Sequence, residues 1–102
     1  MLRSKSQDVA WGRFLWNATK EAVNLRKHGV DFRQATYAFV DAKRIIIEDL
    51  DHSDNEERFL CVGHTEVGIM TVRFTWRGKR LRIIGAGLWR EGKKLYEEKN
   101  KK

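Results

Sequence analysis

Between Ile69 and Ala86 the chain alternates apolar and polar residues on either side of Arg77-Gly78-Lys79. Met70, Val72 and Phe74 share one face of the first arm, and Thr71, Arg73 and Thr75 share the other. Leu81 and Ile83 oppose Arg80 and Arg82 on the second arm. Successive side chains of a strand point to opposite faces, so the pattern predicts a β-hairpin with one apolar and one cationic face. The glycine supplies the positive φ that such a turn needs. Arg77, Lys79, Arg80 and Arg82 lie close together, and like charges crowded on one sheet face cost stability unless an anion is present.

The same reading extends along the chain. Met1–Ala10 is polar and aperiodic and reads as a flexible N-terminus, leaving 11–99 as the single domain. Trp11–Trp16 reads as an edge strand, and Asn17 as the N-cap of a helix ending at Gly29. Ala18, Ala22 and Leu25 recur at helical spacing and predict a buried stripe, with Lys20, Asn24 and Lys27 along another face. Asp31 to Gln34 forms a capping box for a second helix whose apolar face carries Phe32, Ala35 and Phe39. Strands are expected over Arg44–Glu48 and Arg58–Gly63, the latter with Leu60 and Val62 inward. An acidic loop through Asp54 separates them, and its carboxylates read as a solvated loop or a helix-docking surface. The last helix, Leu88–Lys99, is expected to turn Leu88, Gly92, Leu95 and Tyr96 inward. The order β-α-α-β-β-β-β-α implies an α+β fold with a small, largely antiparallel sheet packed against helices.

Charge adds a direction. The formal net charge is +7, and residues 77–102 hold 10 Lys/Arg against 3 Asp/Glu while residues 1–76 balance at 11 of each. A one-sided basic excess suits nucleic acid or an acidic protein partner. The single cysteine, Cys61, leaves no internal disulfide and fits a reducing, cytoplasmic setting. No apolar run reaches membrane-span length. His28, His52, His64 and Cys61 fall into none of the usual metal-ligand spacings, and no glycine-rich phosphate loop occurs, so no metal or cofactor is expected. The Lys, Arg, His and Glu groups that remain suffice for RNA cleavage through the substrate's own 2′-OH. That chemistry needs a proton acceptor, a proton donor and fixed cations for the developing charge. The hairpin arginines suit the electrostatic part, and His28 suits proton transfer because an unperturbed imidazole titrates near neutrality.

The series Phe14–Phe32, with its N-x-x-K-H-G-V-x-F core, resembles the opening of the BrnT family of type II toxins. Ile47 to Asp49, His52-Ser53, Glu56 to Phe59, Gly63, the Thr75-x-Arg77-Gly78 turn and Arg82 to Ile84 continue the resemblance in order. It implies a RelE-like fold, a metal-independent endoribonuclease that stops translation by cleaving RNA, and a BrnA-like antitoxin partner, with DNA contacted only through that antitoxin. It also assigns roles: Lys27, Arg77 and Arg82 on the scissile phosphate, His28 and Glu57 as proton carriers, and Lys20, Arg80 and Arg90 on flanking phosphates. Glu57–Arg58 and Glu48–Arg82 are the structural ion pairs that compete with these roles. Two positions depart from the family pattern. Gly87 stands where relatives carry an arginine, which Arg90 would replace, and Phe74 stands where a tyrosine hydroxyl would position phosphate. A non-catalytic RNA- or ribosome-binding module is the alternative. A regulatory subunit is another, with Trp11, Trp76 and Trp89 as partner anchors.

Overall fold

The computed structural model describes residues 7–53 and 55–101. Six strands form one sheet in the order β1-β2-β6-β5-β4-β3: β1 Asp8–Trp11, β2 Phe14–Asn17, β3 Ile45–Glu48, β4 Phe59–Thr65, β5 Gly68–Arg77 and β6 Arg80–Gly87. Every neighbouring pair is antiparallel except β2 with β6. Three helices accompany them, α1 Ala18–His28, α2 Phe32–Thr36 and α3 Arg90–Lys99, with 3₁₀ turns at Tyr37–Val40 and Leu50–His52. The α+β class and the order read from the sequence hold. The first β unit is a hairpin rather than one strand, because Gly12 turns the chain at φ +61° and lets Trp11 pair with Phe14. Pairing therefore begins at Asp8, inside the segment expected to be flexible, of which residues 1–6 lie outside the described residues.

The helix signals act as expected. Asn17 accepts the Lys20 N–H at 2.9 Å, and Gly29 closes α1 in the left-handed conformation at φ +75°. Asp31 and Gln34 exchange side chain-to-backbone bonds of 2.8 and 2.9 Å. Phe32, Ala35 and Ala38 then lie fully buried on the inner sheet face, against Cys61, Met70, Val72 and Ala86. Gly63 permits that contact, since a Cβ there would run into the Ala38 backbone. The Cys61 thiol sits in this layer, and burial pushes its pKa up to about 12.

Two expected faces are reversed. On β4 the inner positions are Cys61 and Gly63, in register with Val72 and Met70, while Val62 pairs with Thr71 on the other face. Val62 is still buried, because α3 crosses β4 and β5 there and packs Gly92 directly on Thr71. On α1 the stripe of Ala22 and Leu25 is exposed, and the helix buries Asn24 instead. Asn24 Nδ2 donates to the carbonyls of Ala86 (2.9 Å) and Val30 (3.2 Å), and its Oδ1 accepts the Ala86 N–H at 3.1 Å. The side-chain amide thus acts as a one-residue strand on β6. Glu21 ties the same helix to its neighbours, accepting from Trp16 Nε1 and from the Phe32 N–H, both at 2.9 Å. Leu88 also stays exposed, because α3 begins only at Arg90.

Asp41 anchors the far end of α3. It accepts the Tyr96 hydroxyl at 2.5 Å, the His64 N–H at 2.7 Å and the Lys43 N–H at 2.9 Å. Burial opposes its charge, but these bonds outweigh burial and hold the carboxyl below its ordinary value. Burial, then the bond to Asp41, raises the Tyr96 phenol to about 12.

Replacing Asn24 by Ala leaves the Ala86 and Val30 backbone groups without their partner, and is expected to cost about 2–3 kcal/mol in chemical denaturation. Tyr96→Phe is expected to cost about 1.5–3 kcal/mol at neutral pH, as for a hydrogen bond to a charged group. Asp41 has a depressed folded pKa, so its contribution is present above the unfolded carboxylate value and is lost as pH falls through the folded one. The gap between Tyr96→Phe and the parent protein should therefore narrow in acid, which denaturation curves across pH would show.

Candidate nucleic-acid interface

The register of β5 with β6 sets out the cationic face. Thr75 lies opposite Arg82 and Arg77 opposite Arg80, so these four residues share one side of the hairpin. Nearer α3 the pairing slips. Phe74 faces Ile83 while Arg73 faces Gly85, leaving Ile84 as an extra residue in β6. Such a bulge bends the strand and re-aims its side chains. Arg73 shares the side of Arg77 through the alternation of β5, and the bulge sets Gly85 rather than Ile84 opposite it, while Ile84 lines a cleft against α1.

That cleft encloses about 280 Å³ and is where α1 meets the sheet. Lys20, Lys27 and His28 enter it from the helix, Arg73 from β5 and Trp89 from the connection to α3. The His28 ring meets the Trp89 indole edge-on, with centroids 5.2 Å apart, and the Arg73 guanidinium lies 5.4 Å from the same ring. Trp89 takes this position because Gly87 has no side chain, and a Cβ at 87 would fall within the indole. Arg90 does not supply a replacement guanidinium, since it opens onto a different hollow beside Val67 and Lys93.

On the far side of Arg73 stands a group that the sequence reading treated as solvated. Asp49 is 7 % exposed, and both its carboxylate oxygens lie within 3.1 Å of His52 Nδ1. Its other neighbour is Arg73 Nε at 3.9 Å. Ser53 Oγ fixes the turn by donating to the Asp49 carbonyl at 2.7 Å and accepting the Arg58 N–H at 3.0 Å. The carboxylate holds the Nδ1 nitrogen of His52, whose side chain is about half exposed. The signal available in the sequence was Asp and His three apart on one helical turn.

The remaining candidates are spread out. Arg77 pairs with Glu56 at 2.7 Å and Arg82 with Asp8 at 2.9 Å, while Arg58 reaches Glu56 at 3.8 Å. Glu56 and Asp8 therefore take the places expected for Glu57 and Glu48, because β1 lies closer to Arg82 than β3 does across the strand order. Glu57 is exposed, offers only its carbonyl to Thr75 Oγ1 (2.7 Å), and lines a small hollow with Trp76 rather than the cleft of His28. Arg80 is exposed at the hairpin tip. Phe74 is buried under Phe39 on the inner face, so a hydroxyl there would lie on the side away from the arginines.

Arginines along one side of the β5–β6 hairpin, with an imidazole held by a buried carboxylate beside them, mark a basic α+β domain. A family model for the BrnT ribonuclease toxin of type II toxin–antitoxin systems matches residues 16–92, and the chain belongs to this family. Comparison with curated proteins finds no match.

Gly87→Arg is expected to lower stability by about 1–3 kcal/mol, the usual cost of overpacking, because the indole of Trp89 must leave its seat. Adding Trp89→Ala to the same chain should recover most of that loss. Thermal melts of the single and double variants check the coupling.

Proposed function

We propose that this chain is a metal-independent endoribonuclease that cleaves RNA through attack of the 2′-OH on the adjacent phosphorus, and so inhibits translation in the cytoplasm. The observation that carries the reading is Arg73, set between the Asp49–His52 pair and the Lys27–His28 end of α1. Arg73 and Lys27 neutralise the charge that builds on the non-bridging oxygens. Fixed donors of this kind are worth on the order of 3–4 kcal/mol in a transition state. His52 takes the 2′-OH proton at Nε2 while Asp49 steadies its other nitrogen. As the 2′-oxygen bonds to phosphorus the bond to the 5′-oxygen breaks, and that oxygen takes a proton from the imidazolium of His28. The products are a 2′,3′-cyclic phosphate and a 5′-hydroxyl.

Lys20, Arg77, Arg80 and Arg82 hold the flanking phosphates. Arg77 and Arg82 do so by exchanging Glu56 and Asp8 for phosphate oxygens, an exchange that counterion release favours at low salt. Arg90 and Glu57 lie apart from this path and have no part in it. A BrnA-like antitoxin is the protein partner and makes any contact with DNA.

The alternative, a module that binds RNA without cutting it, draws on those same carboxylates, which already satisfy the arginines. His52→Gln separates the two readings, since glutamine can still donate to Asp49 but cannot take up the proton. Under the nuclease reading, cleavage of a single-stranded RNA in EDTA should fall by roughly 10²–10⁴-fold while affinity for the 2′-deoxy analogue is unchanged. Intact RNA after incubation with the parent protein would leave only the binding module.

A further inference from the structure

The hairpin end of the sheet has a second uncovered side. α2 and the Tyr37–Val40 turn roof the inner face only as far as Phe39, whose ring meets Phe74 edge-to-face at 5.0 Å. Beyond that point Phe14, whose ring lies 5.2 Å from that of Phe39, joins Trp76 and Leu81 in lining a trough of about 330 Å³. Its floor is closed, with Phe74 and Leu81 at most 8 % exposed. Its walls are not: Val40 is 74 % exposed, and Ile46 and Trp76 are each 48 % exposed. Large contiguous apolar surfaces mark interaction sites, and here three exposed apolar side chains surround one depression.

The rim carries Arg13 and Arg44. Among the described residues no carboxylate comes within ion-pair distance of Arg13 or Arg44, in contrast to Arg58, Arg73, Arg77 and Arg82 and in common with Arg26, Arg33, Arg80 and Arg90. Arg44 gives one N–H to the Asp41 carbonyl at 3.2 Å and keeps its charge unmatched. An apolar slot between two unmatched guanidinium groups is complementary to an amphipathic segment with carboxylates along its flanks. A second copy of this chain fits poorly, since two molecules of net charge +7 repel. RNA also fits poorly, because its phosphates find two cations here against the row of arginines on the opposite side of the same strands.

We infer that the trough is the docking site of the antitoxin, which inserts an acidic amphipathic segment over Trp76 between Val40 and Ile46 and pairs with Arg13 and Arg44. The inference rests on the chain having an antitoxin, which its family supplies, and not on the nuclease mechanism. On this arrangement the partner grips the sheet from the side away from the arginines, so retention by the antitoxin and RNA contact depend on separate residues.

The test titrates the purified chain with its cognate antitoxin by calorimetry, at low and high salt, and in parallel measures cleavage of a single-stranded RNA by the free chain. Trp76→Ala should weaken the complex by roughly 30-fold or more, as for a buried aromatic anchor. Val40→Glu, at a position too exposed to disturb folding, should weaken it similarly. Arg13→Glu with Arg44→Glu should weaken it most at low salt and flatten its salt dependence. RNA cleavage by all these free variants should match the parent. Unchanged antitoxin affinity in every variant overturns the inference, as does a loss of RNA binding with antitoxin binding intact, which would give the trough to RNA. If the parent cuts no RNA yet the variants still lose the antitoxin, the nuclease reading fails and the interface stands.

Discussion

One side-chain amide decides where the functional groups of this domain meet. β2 pairs with β6 only through Phe14 and Leu15, so the rest of the β6 edge, at Ala86, is open. Asn24 closes it with a two-way bond that imitates a neighbouring strand, and the helix carrying Asn24 is thereby fixed against Gly85 and Ile84. Lys20 and Lys27 lie four residues before and three after Asn24, so they and His28 follow it onto the same side of the sheet. A buried amide satisfied at both ends is directional in a way that an apolar contact is not, and a helix held by it cannot rotate without breaking the pair. That accounts for an α1 with almost no apolar face turned to the core.

The arginine face is governed by a related balance. Like charges set across neighbouring strands repel, and Asp8, Asp49 and Glu56 relieve that repulsion one guanidinium at a time. Asp8 and Glu56 are partly exposed, so their pairs are screened and add little stability, on the order of 0–1 kcal/mol each. Such pairs exchange readily for phosphate. Asp49 differs because it is buried and shared between Arg73 and His52. Removing it would leave the arginine and the imidazole without the carboxylate between them.

Much of this architecture was written in local signals. Asn17, Gly29 and the Asp31–Gln34 box act within a few residues, and period-two alternation gave the hairpin with its two faces. Other features depend on contacts between distant segments. Ala22 and Leu25 have helical spacing, yet nothing in a sequence says that an asparagine will be the buried residue. Leu60 and Val62 alternate with Cys61 and Gly63, and the inward pair follows from a glycine letting the Ala38 backbone approach and from α3 covering the other side. Trp89 filling the space above Gly87 is the same kind of fact. Charge counting was misleading for a related reason. The basic excess lies in residues 77–102, whereas Lys20, Lys27 and Arg73, which share the cleft, come from the electrically balanced part of the chain.

The hairpin extends past both helical layers, and this explains how one thin sheet presents two dissimilar surfaces. α3 covers the outer face at Thr71 and stops short of Arg73, and the Tyr37–Val40 turn covers the inner face only as far as Phe39. Beyond those limits the period-two alternation of β5 places Thr75 and Arg77 on one side and Phe74 and Trp76 on the other. A one-residue slip would exchange the faces and bury arginine, so the register must be held firmly. It is fixed from three directions: by the Gly78 turn at φ +61°, by Thr75 Oγ1 bonded to the Glu57 carbonyl, and by Leu81 N–H bonded to the Arg13 carbonyl at 2.9 Å. The last of these also places Arg13 at the rim of the apolar side. The backbone contact that secures the arginine face therefore positions a cation for the opposite one.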